Sequence, residues 1–178
     1  MRSYGTTLLV LFFCINACLS KLYAQETINW QSIEQAEQAA QKQHRKMIID
    51  IFTTWSDGAK EMERSVFNQP QIVHYINENF IPVKFDAETR NDVTFRSRIF
   101  HFVTESGVSF NQLASELLRG QMAYPTLVFL DENMNLIQTI QYRSPEHFEM
   151  IMTYFGDDNH KKIPWKKYEK TYQTTKNR

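Results

Sequence analysis

The sequence predicts an α/β domain with a mixed central sheet and helices on both faces. Two largely apolar runs, residues 47–52 and 80–85, are typical of buried strands, and a helical stretch separates them. A helical crossover of this kind makes the two strands parallel. Two further apolar runs, residues 126–130 and 136–140, are joined by the turn-rich segment 131–135, which indicates an antiparallel hairpin. Parallel and antiparallel neighbours together give the mixed sheet.

Helical patterns lie between and around these strands. Residues 28–40 place apolar side chains at helical spacing, with charged and glutamine residues opposite. The next helix begins at Ser56 or Asp57, because both residue types are good N-caps, and residues 68–70 end it. A short helix follows that proline with its apolar side inward. The last helix of the domain begins at residues 144–145, a serine followed by a proline.

Residues 92–122 are less regular and are predicted to be an insertion. Residues 93–102 have the composition of a small hairpin that turns at residues 97–98. Residues 109–118 then carry the apolar spacing of a helix. We therefore expect an inserted hairpin–helix segment within the α/β domain.

The first 24 residues have the pattern of a secretory signal peptide. Arg2 supplies a positive start, and the apolar run that follows is shorter than the ~20 residues of a transmembrane helix. Cleavage is predicted after Ala24. The alternative is a loose lipobox in which Cys18 is lipidated, retained and used as a lipid anchor. Either alternative exports the protein, with the periplasm as the expected compartment and a lipoprotein or a secreted form as alternatives.

The remaining chain has the size of one domain and holds no cysteine. Removal of 24 residues from 178 leaves 154, and Cys14 and Cys18 both lie in the removed part. Exported domains often use disulfides, so this one depends on its core alone. It keeps 18 basic and 20 acidic residues, since Arg2 and Lys21 leave with the signal. That balance points neither to nucleic acid nor to a membrane.

A basic, aromatic tail, residues 160–178, follows the predicted domain at 25–159. The tail holds seven Lys or Arg and one acidic residue. Trp165, Tyr168 and Tyr172 are spaced by three and four, which predicts a helix with one aromatic face. Because the domain itself has an acidic balance, we predict that this helix docks on it. The alternative is a segment that binds a partner or a surface.

Residues 55–63, which read W-S-D-G-A-K-E-M-E, carry a resemblance to a known family. They resemble the W-C-x-x-C-K-E-M-E motif of thioredoxin-like domains in exported bacterial proteins. The segment is most similar to the periplasmic C-terminal domain of the transmembrane thiol:disulfide interchange reductases. Residues 67–73 resemble the helix break that follows there, and residues 124–131 resemble the family's cis-proline strand. The resemblance spans most of residues 30–156 and implies a thioredoxin-like fold.

Ser56 and Ala59 stand where this family has its two catalytic cysteines. Dithiol exchange needs a thiolate at a helix N-terminus and a second thiol three residues later. A serine hydroxyl is a poor nucleophile without an adjacent base and forms no disulfide, and alanine does neither. We therefore predict a degenerate motif with no catalytic residue, no enzymatic thiol exchange and no cofactor.

The resemblance also implies a peptide-binding surface that needs no thiol. In active relatives the cis-proline loop lies beside the motif and offers backbone groups to an extended peptide. Pro125 is expected to be cis on this resemblance. The predicted binding residues are Trp55, Ser56, Asp57, Gly58, Tyr124 and Pro125. The alternative is that the two aromatic residues only cap the edge of the sheet.

Asp50, five residues before Trp55, matches the buried acid of the family, which moves a proton for the resolving thiol. This chain has no resolving thiol to which Asp50 could transfer a proton. Asp50 is therefore interpreted as a relic or as a hydrogen-bonded strand residue. If it is buried without a cationic neighbour, desolvation should raise its pKa.

Other site chemistries find little support. The five histidines show no i,i+3 or i,i+4 pairing, so no metal site is predicted. Ser56 lacks the glycine pattern of a serine-hydrolase nucleophile elbow. The predicted function is a redox-inactive exported module that binds a partner protein or an extended peptide. The alternatives are a chaperone-like or regulatory accessory to envelope thiol:disulfide exchange, or a lipid-anchored structural protein of the envelope.

Overall fold

The computed structural model describes residues 26–142 and 144–176, so the predicted signal peptide and Cys18 lie outside the described residues. These residues form eight strands and six α-helices. The helices are α1 (Ile33–Gln43), α2 (Asp57–Ser65), α3 (Pro70–Asn79), α4 (Gln112–Leu117), α5 (Pro145–Gly156) and α6 (Trp165–Lys176). The strands are β1 (Lys46–Phe52), β2 (Phe80–Asp86), β3 (Val93–Phe95), β4 (Arg98–Phe100), β5 (Phe102–Glu105), β6 (Val108–Asn111), β7 (Thr126–Leu130) and β8 (Leu136–Gln141).

Four of the strands form the central sheet in the order β2-β1-β7-β8. β1 pairs in parallel with β2, which returns after the crossover through α2 and α3. It pairs antiparallel with β7 on its other side, and β7 and β8 form a hairpin. The predicted mixed α/β sheet is thus confirmed, with β1 as one of its two central strands.

Two hydrophobic clusters cover the two faces of this sheet. Met47, Ile49 and Ile51 belong to the cluster under α1 and α4, whereas Ile48 belongs to the cluster under α2, α3 and α5. Successive strand residues point to opposite faces, which explains this alternation. Each of these side chains is fully buried, and burying one such side chain contributes roughly 1.5–3 kcal/mol. By the same alternation, Asp50 faces the α2 side.

Local sequence signals set where the helices begin. Ser56 caps α2, and its side chain accepts a hydrogen bond from the backbone N–H of Ala59, as predicted. Ser144 caps α5 ahead of a proline, also as predicted. Pro70 begins α3. None of the helices in the described ranges has both the length and the apolar character that a membrane span requires.

The segment 92–122 contains two hairpins where one was predicted. The predicted hairpin exists as β3 and β4, but its turn is at Arg96 and Ser97, one residue earlier than expected. The predicted helix from Ser109 is wrong at its start, because β5 and β6 form a second hairpin and α4 begins only at Gln112. The Asn111 side chain caps α4 by accepting from the Leu113 N–H, which fixes that later start.

The C-terminal helix docks on the domain, as predicted. The rings of Trp165 and Tyr168 each lie 5.0 Å from the ring of Tyr154 in α5. The Tyr168 hydroxyl is also 2.7 Å from Oγ1 of Thr153. The aromatic face of α6 is therefore used for intramolecular contact.

Candidate functional site

The N-terminus of α2 meets the loop before β7 through Ser56. This serine is 6% exposed, and its Oγ accepts from the Ala59 N–H at 3.3 Å. The same oxygen lies 3.2 Å from the backbone carbonyl oxygen of Tyr124, to which its hydroxyl donates. One side chain thus both caps the helix and joins two segments that are far apart in sequence.

Gly58 allows this close approach of the helix to the loop. The peptide bond between Tyr124 and Pro125 is cis. A Cβ atom on Gly58 would lie 3.0 Å from Cδ of Pro125 and 3.8 Å from the Tyr124 carbonyl oxygen. Because almost any side chain here would crowd the proline ring, the glycine lets α2 and the cis-proline loop form one continuous surface.

Two aromatic side chains form the exposed part of this surface. Trp55 is 62% exposed, and its ring stands edge-on to the ring of Tyr124, with 6.1 Å between centroids. The indole N–H donates to Glu88 Oε1 at 3.0 Å. Burial, together with the negative charges of Glu88 and Asp86, raises the pKa of Tyr124 to about 12. The phenol therefore stays protonated at physiological pH and remains a hydrogen-bond donor.

The six predicted binding residues come together in space, but they play different parts. Trp55 and Asp57 are exposed, and the Asp57 side chain pairs with Lys60 at 3.2 Å. Tyr124 is half-buried. The remaining three, Ser56, Gly58 and Pro125, lie underneath and fix the geometry rather than offer contact area to a partner.

Asp50 lies below the motif in a buried position. It is 2% exposed, and burial raises the pKa of its carboxyl to about 7. The positive charge of Lys84 lowers this pKa and the negative charge of Glu63 raises it, but neither outweighs burial. The rise of the pKa agrees with the sequence expectation, although a cationic neighbour is present.

Sequence reasoning missed this neighbour and the glutamate that holds it. Lys84 is hydrogen-bonded to Glu63 and lies over the rings of Trp30, Phe52 and Phe67. Lys84 stands directly opposite Asp50 in the parallel register of β1 and β2. The sequence predicted that β1 and β2 are parallel neighbours, which places Lys84 in the strand next to Asp50. Only the register of the two strands shows that these residues stand opposite each other. In the described part of the chain, no group of three or more side chains is arranged to hold a metal ion.

Comparisons with known proteins identify the family and the fold. A family model described as "Thioredox_DsbH: Protein of unknown function, DUF255" matches residues 16–171. No curated protein matches the chain.

Solved structures with a similar fold include a thioredoxin-fold protein from Helicobacter pylori, at 13% identity and a TM-score of 0.56, with 85% of this chain and 92% of that one covered. A thioredoxin from Thermus thermophilus matches at 15% identity and a TM-score of 0.55, covering 72% and 87% of the two chains. A DsbH oxidoreductase matches at 15% identity and a TM-score of 0.52, covering 73% and 85%. At these identities the likeness establishes the thioredoxin fold alone.

Proposed function

This chain belongs to the Thioredox_DsbH family, and from that premise we propose that it is a redox-inactive, exported thioredoxin-fold domain that binds an extended segment of a partner protein. The binding surface is the one formed by Trp55, Asp57 and Tyr124 above Gly58 and Pro125. We refer to it as the motif surface.

The observation that best supports binding at the motif surface is the exposed Trp55 side chain beside Tyr124. Tryptophan is the largest apolar side chain, and Trp55 is the most exposed of the large hydrophobic residues in the described chain. Fully burying such a side chain contributes roughly 1.5–3 kcal/mol, so a partner that covers it gains substantial affinity. The Trp55–Glu88 hydrogen bond holds the indole in place, which lowers the entropy that is lost when a partner binds.

The atoms at the two motif positions support the proposal of redox inactivity. The Ser56 hydroxyl accepts a hydrogen bond from the Ala59 N–H and donates one to the Tyr124 carbonyl, and the Ala59 side chain is only a methyl group. Neither residue supplies the thiolate or the resolving thiol that exchange requires. The remaining capacity of the surface is non-covalent binding.

The contact is expected to be mainly side-chain contact. An extended peptide usually adds main-chain hydrogen bonds to such a loop. Here the Tyr124 carbonyl already accepts from Ser56, so that acceptor is partly used. Glu88 and Asp57 place negative charge beside the aromatic pair, which favours a partner segment with apolar and basic residues.

Site-specific photo-crosslinking tests the proposal. A benzoylphenylalanine at Asp57, whose side chain is 98% exposed, should crosslink a defined envelope protein. The same probe at Val108, which is 57% exposed in the β5–β6 hairpin and belongs to neither the motif nor the cis-proline loop, is the matched control. The purified partner should then bind the wild type, and Trp55→Ala together with Tyr124→Ala should weaken that binding at least tenfold. Equal crosslinking at both positions, or unchanged affinity of the double variant, would contradict the proposal.

Two further measurements test the proposed redox inactivity and the proposed export. Insulin reduction with a suitable electron donor should stay at background for the wild type. The mass of the exported protein should correspond to a chain that begins at Gln25 if the signal is cleaved after Ala24. A mass that corresponds to a chain beginning at a lipidated Cys18 would instead support the anchored form. Retention of the whole chain in the cytoplasm would contradict export.

A further inference from the structure

A cavity lies beneath α2, next to the motif surface but separate from it. Its volume is about 540 Å³, and Ala59 and Phe52 are among the residues that line it. Asp50 and Thr53 line its inner part, being 2% and 1% exposed. Ala59 is the short side chain at the second position of the degenerate motif.

Two buried oxygen atoms at this cavity have no hydrogen-bond partner among the described residues. They are Oδ1 of Asp50 and Oγ1 of Thr53. A buried polar atom without a partner is costly, and such atoms are rare in native structures. Two of them beside one cavity indicate a position that a hydrogen-bond donor fills.

The ion pairs around the cavity identify the charge of that donor. Glu63 and Asp50 are two carboxyl groups that share one lysine, and Lys84 makes its hydrogen bond to Glu63. The other cations that line the cavity, Lys60 and Arg64, are paired with acidic residues of their own helix, Asp57 and Glu61. Lys84 lowers the pKa of Asp50 by its charge, yet Oδ1 of Asp50 still has no hydrogen-bond donor among the described residues, and a cationic donor fits that position.

We infer that this cavity binds a primary alkylammonium group, which donates hydrogen bonds to the Asp50 carboxylate and to the Thr53 hydroxyl. The apolar part of the ligand lies against Phe52 and Ala59, which both line the cavity. The ammonium belongs to a small free amine or to a lysine side chain of a protein. This inference does not depend on partner binding at the motif surface, which uses other side chains.

The group that must ionise for this binding is Asp50. Its pKa of about 7 means that ~3% of the carboxyl is ionised at pH 5.5 and ~90% at pH 8. The charged groups that face it, Glu63 and Lys84, belong to the pair described above. We therefore expect amine binding to be ~30-fold tighter at pH 8 than at pH 5.5.

A titration of the full domain with n-butylammonium chloride, followed by amide NMR shifts, tests the inference. The expected result is saturable shifts in residues 50–54 and 59–64 at pH 8, with the stated weakening at pH 5.5. 1-Butanol has the same chain without the charge and should not saturate these shifts. N-acetyl-lysine N-methylamide distinguishes the source: comparable or tighter binding of this probe indicates a protein lysine, and binding of butylammonium alone indicates a free amine.

Three variants make the test specific. Asp50→Asn removes the charge without changing the shape and should abolish the saturable shifts. Ala59→Leu fills the cavity, leaves every charge in place and should abolish them too. Glu105→Gln removes an exposed carboxylate in β5 and should leave them unchanged. The inference is overturned if folded wild type shows no saturation at pH 8, if butanol binds equally well, or if Asp50→Asn still binds.

Discussion

The side-chain hydroxyl of Ser56 donates to the backbone carbonyl of Tyr124 across a 3.2 Å hydrogen bond, and so ties the start of α2 to the cis-proline loop. These two residues are separated by 68 positions in the sequence. A serine hydroxyl can make both contacts at once, because its oxygen accepts from the Ala59 N–H while its O–H donates to the carbonyl. Ser56 thus connects the start of α2 with the cis-proline loop.

Replacing this serine by alanine should destabilise the domain. Ser56→Ala removes the N-cap of α2, at a cost of about 1 kcal/mol, and takes a hydrogen bond from the Tyr124 carbonyl, at about 1 kcal/mol more. We expect the free energy of unfolding in urea to fall by about 2 kcal/mol. Ser56→Thr keeps a hydroxyl and should stay much closer to wild type. Equal stability of the alanine variant would show that the bridge contributes nothing.

A larger residue at Gly58 should disturb the same connection from the other side. The Cβ and Cγ atoms in Gly58→Val would press on the Pro125 ring, since a Cβ alone already approaches Cδ to 3.0 Å. Overpacking of this kind costs about 2 kcal/mol, and we expect that loss in urea denaturation together with a change in Trp55 fluorescence. Asp57→Ala, in the same helical turn but with an exposed side chain, is the control and should change stability by less than about 0.5 kcal/mol. A stable valine variant with unchanged fluorescence would contradict the close contact.

The raised pKa of Asp50 should make stability fall as pH rises from about 4 to 7. Because the folded pKa of about 7 exceeds the reference value of 3.8, the folded state binds more protons than the unfolded state in this window. The difference corresponds to a loss of about 4 kcal/mol above pH 7, relative to acidic pH. Asp50→Asn should remove this loss, so that the variant exceeds wild type at pH 8 and nearly equals it at pH 4.

Urea unfolding of both proteins at pH 4, 6 and 8 measures this difference, and the comparison cancels other titrating groups. Glu105→Gln serves as the matched control because its carboxylate is exposed. A variant that keeps the wild-type difference between pH 4 and pH 8 would show that Asp50 is not the titrating group.

At the other end of β1, Lys46 should be a stabilising residue whose contribution is lost in acid. Lys46 is 7% exposed, and its Nζ lies 2.9 Å from both Glu132 and Asp158. Burial lowers the pKa of Lys46, but its ion pairs with the two carboxylates, taken together, raise that pKa by more. Burial likewise raises the pKa of Asp158, and its ion pairs with Lys46 and Lys161, taken together, lower that pKa by more.

A carboxylate with a lowered folded pKa stabilises the fold above its unfolded pKa, and that stability is lost as pH falls through the folded value. Lys46→Met should therefore lower the free energy of unfolding by about 2 kcal/mol at pH 7, the range for hydrogen bonds to charged groups, and by less at pH 3. The loss stays below that of a fully buried pair because both carboxylates are partly exposed. Lys42→Met, on the exposed side of α1, should have little effect at either pH. A loss that is equal at pH 3 and pH 7 would point to lost contact area instead of charge.

Several features of this fold were predictable because they depend on neighbours in sequence. The cap at Ser56, the proline start of α5 and the pairing type of β1 with β2 each follow from residue types within one segment or one crossover. The start of α4 was not predictable in this way, because the apolar spacing from Ser109 favours a helix while the pairing of these residues with another strand favours a hairpin. Residues 109–111 pair with β5, and that pairing outweighs the weak local preference for helix.

In the candidate site, too, the features that depend on local sequence were predictable and the contacts between distant residues were not. The motif and its missing thiols are visible in the sequence, and so are the two aromatic residues of the motif surface. Glu88, which holds the Trp55 indole, was missed because no local pattern links residues 33 positions apart. The same holds for Glu63 and Lys84 beside Asp50.

The sequence by itself determined the order of the four central strands and of the helices around them, the caps at Ser56 and Ser144, and the residue types at positions 56 and 59, because those properties reside in single residues and short spacings. Only the tertiary structure decided which distant groups meet: Ser56 with the Tyr124 carbonyl, Asp50 with Lys84 opposite it, and α6 with α5. The physical reason is that such contacts depend on strand register and on how helices pack across the sheet, and both are set by burying the whole core at once.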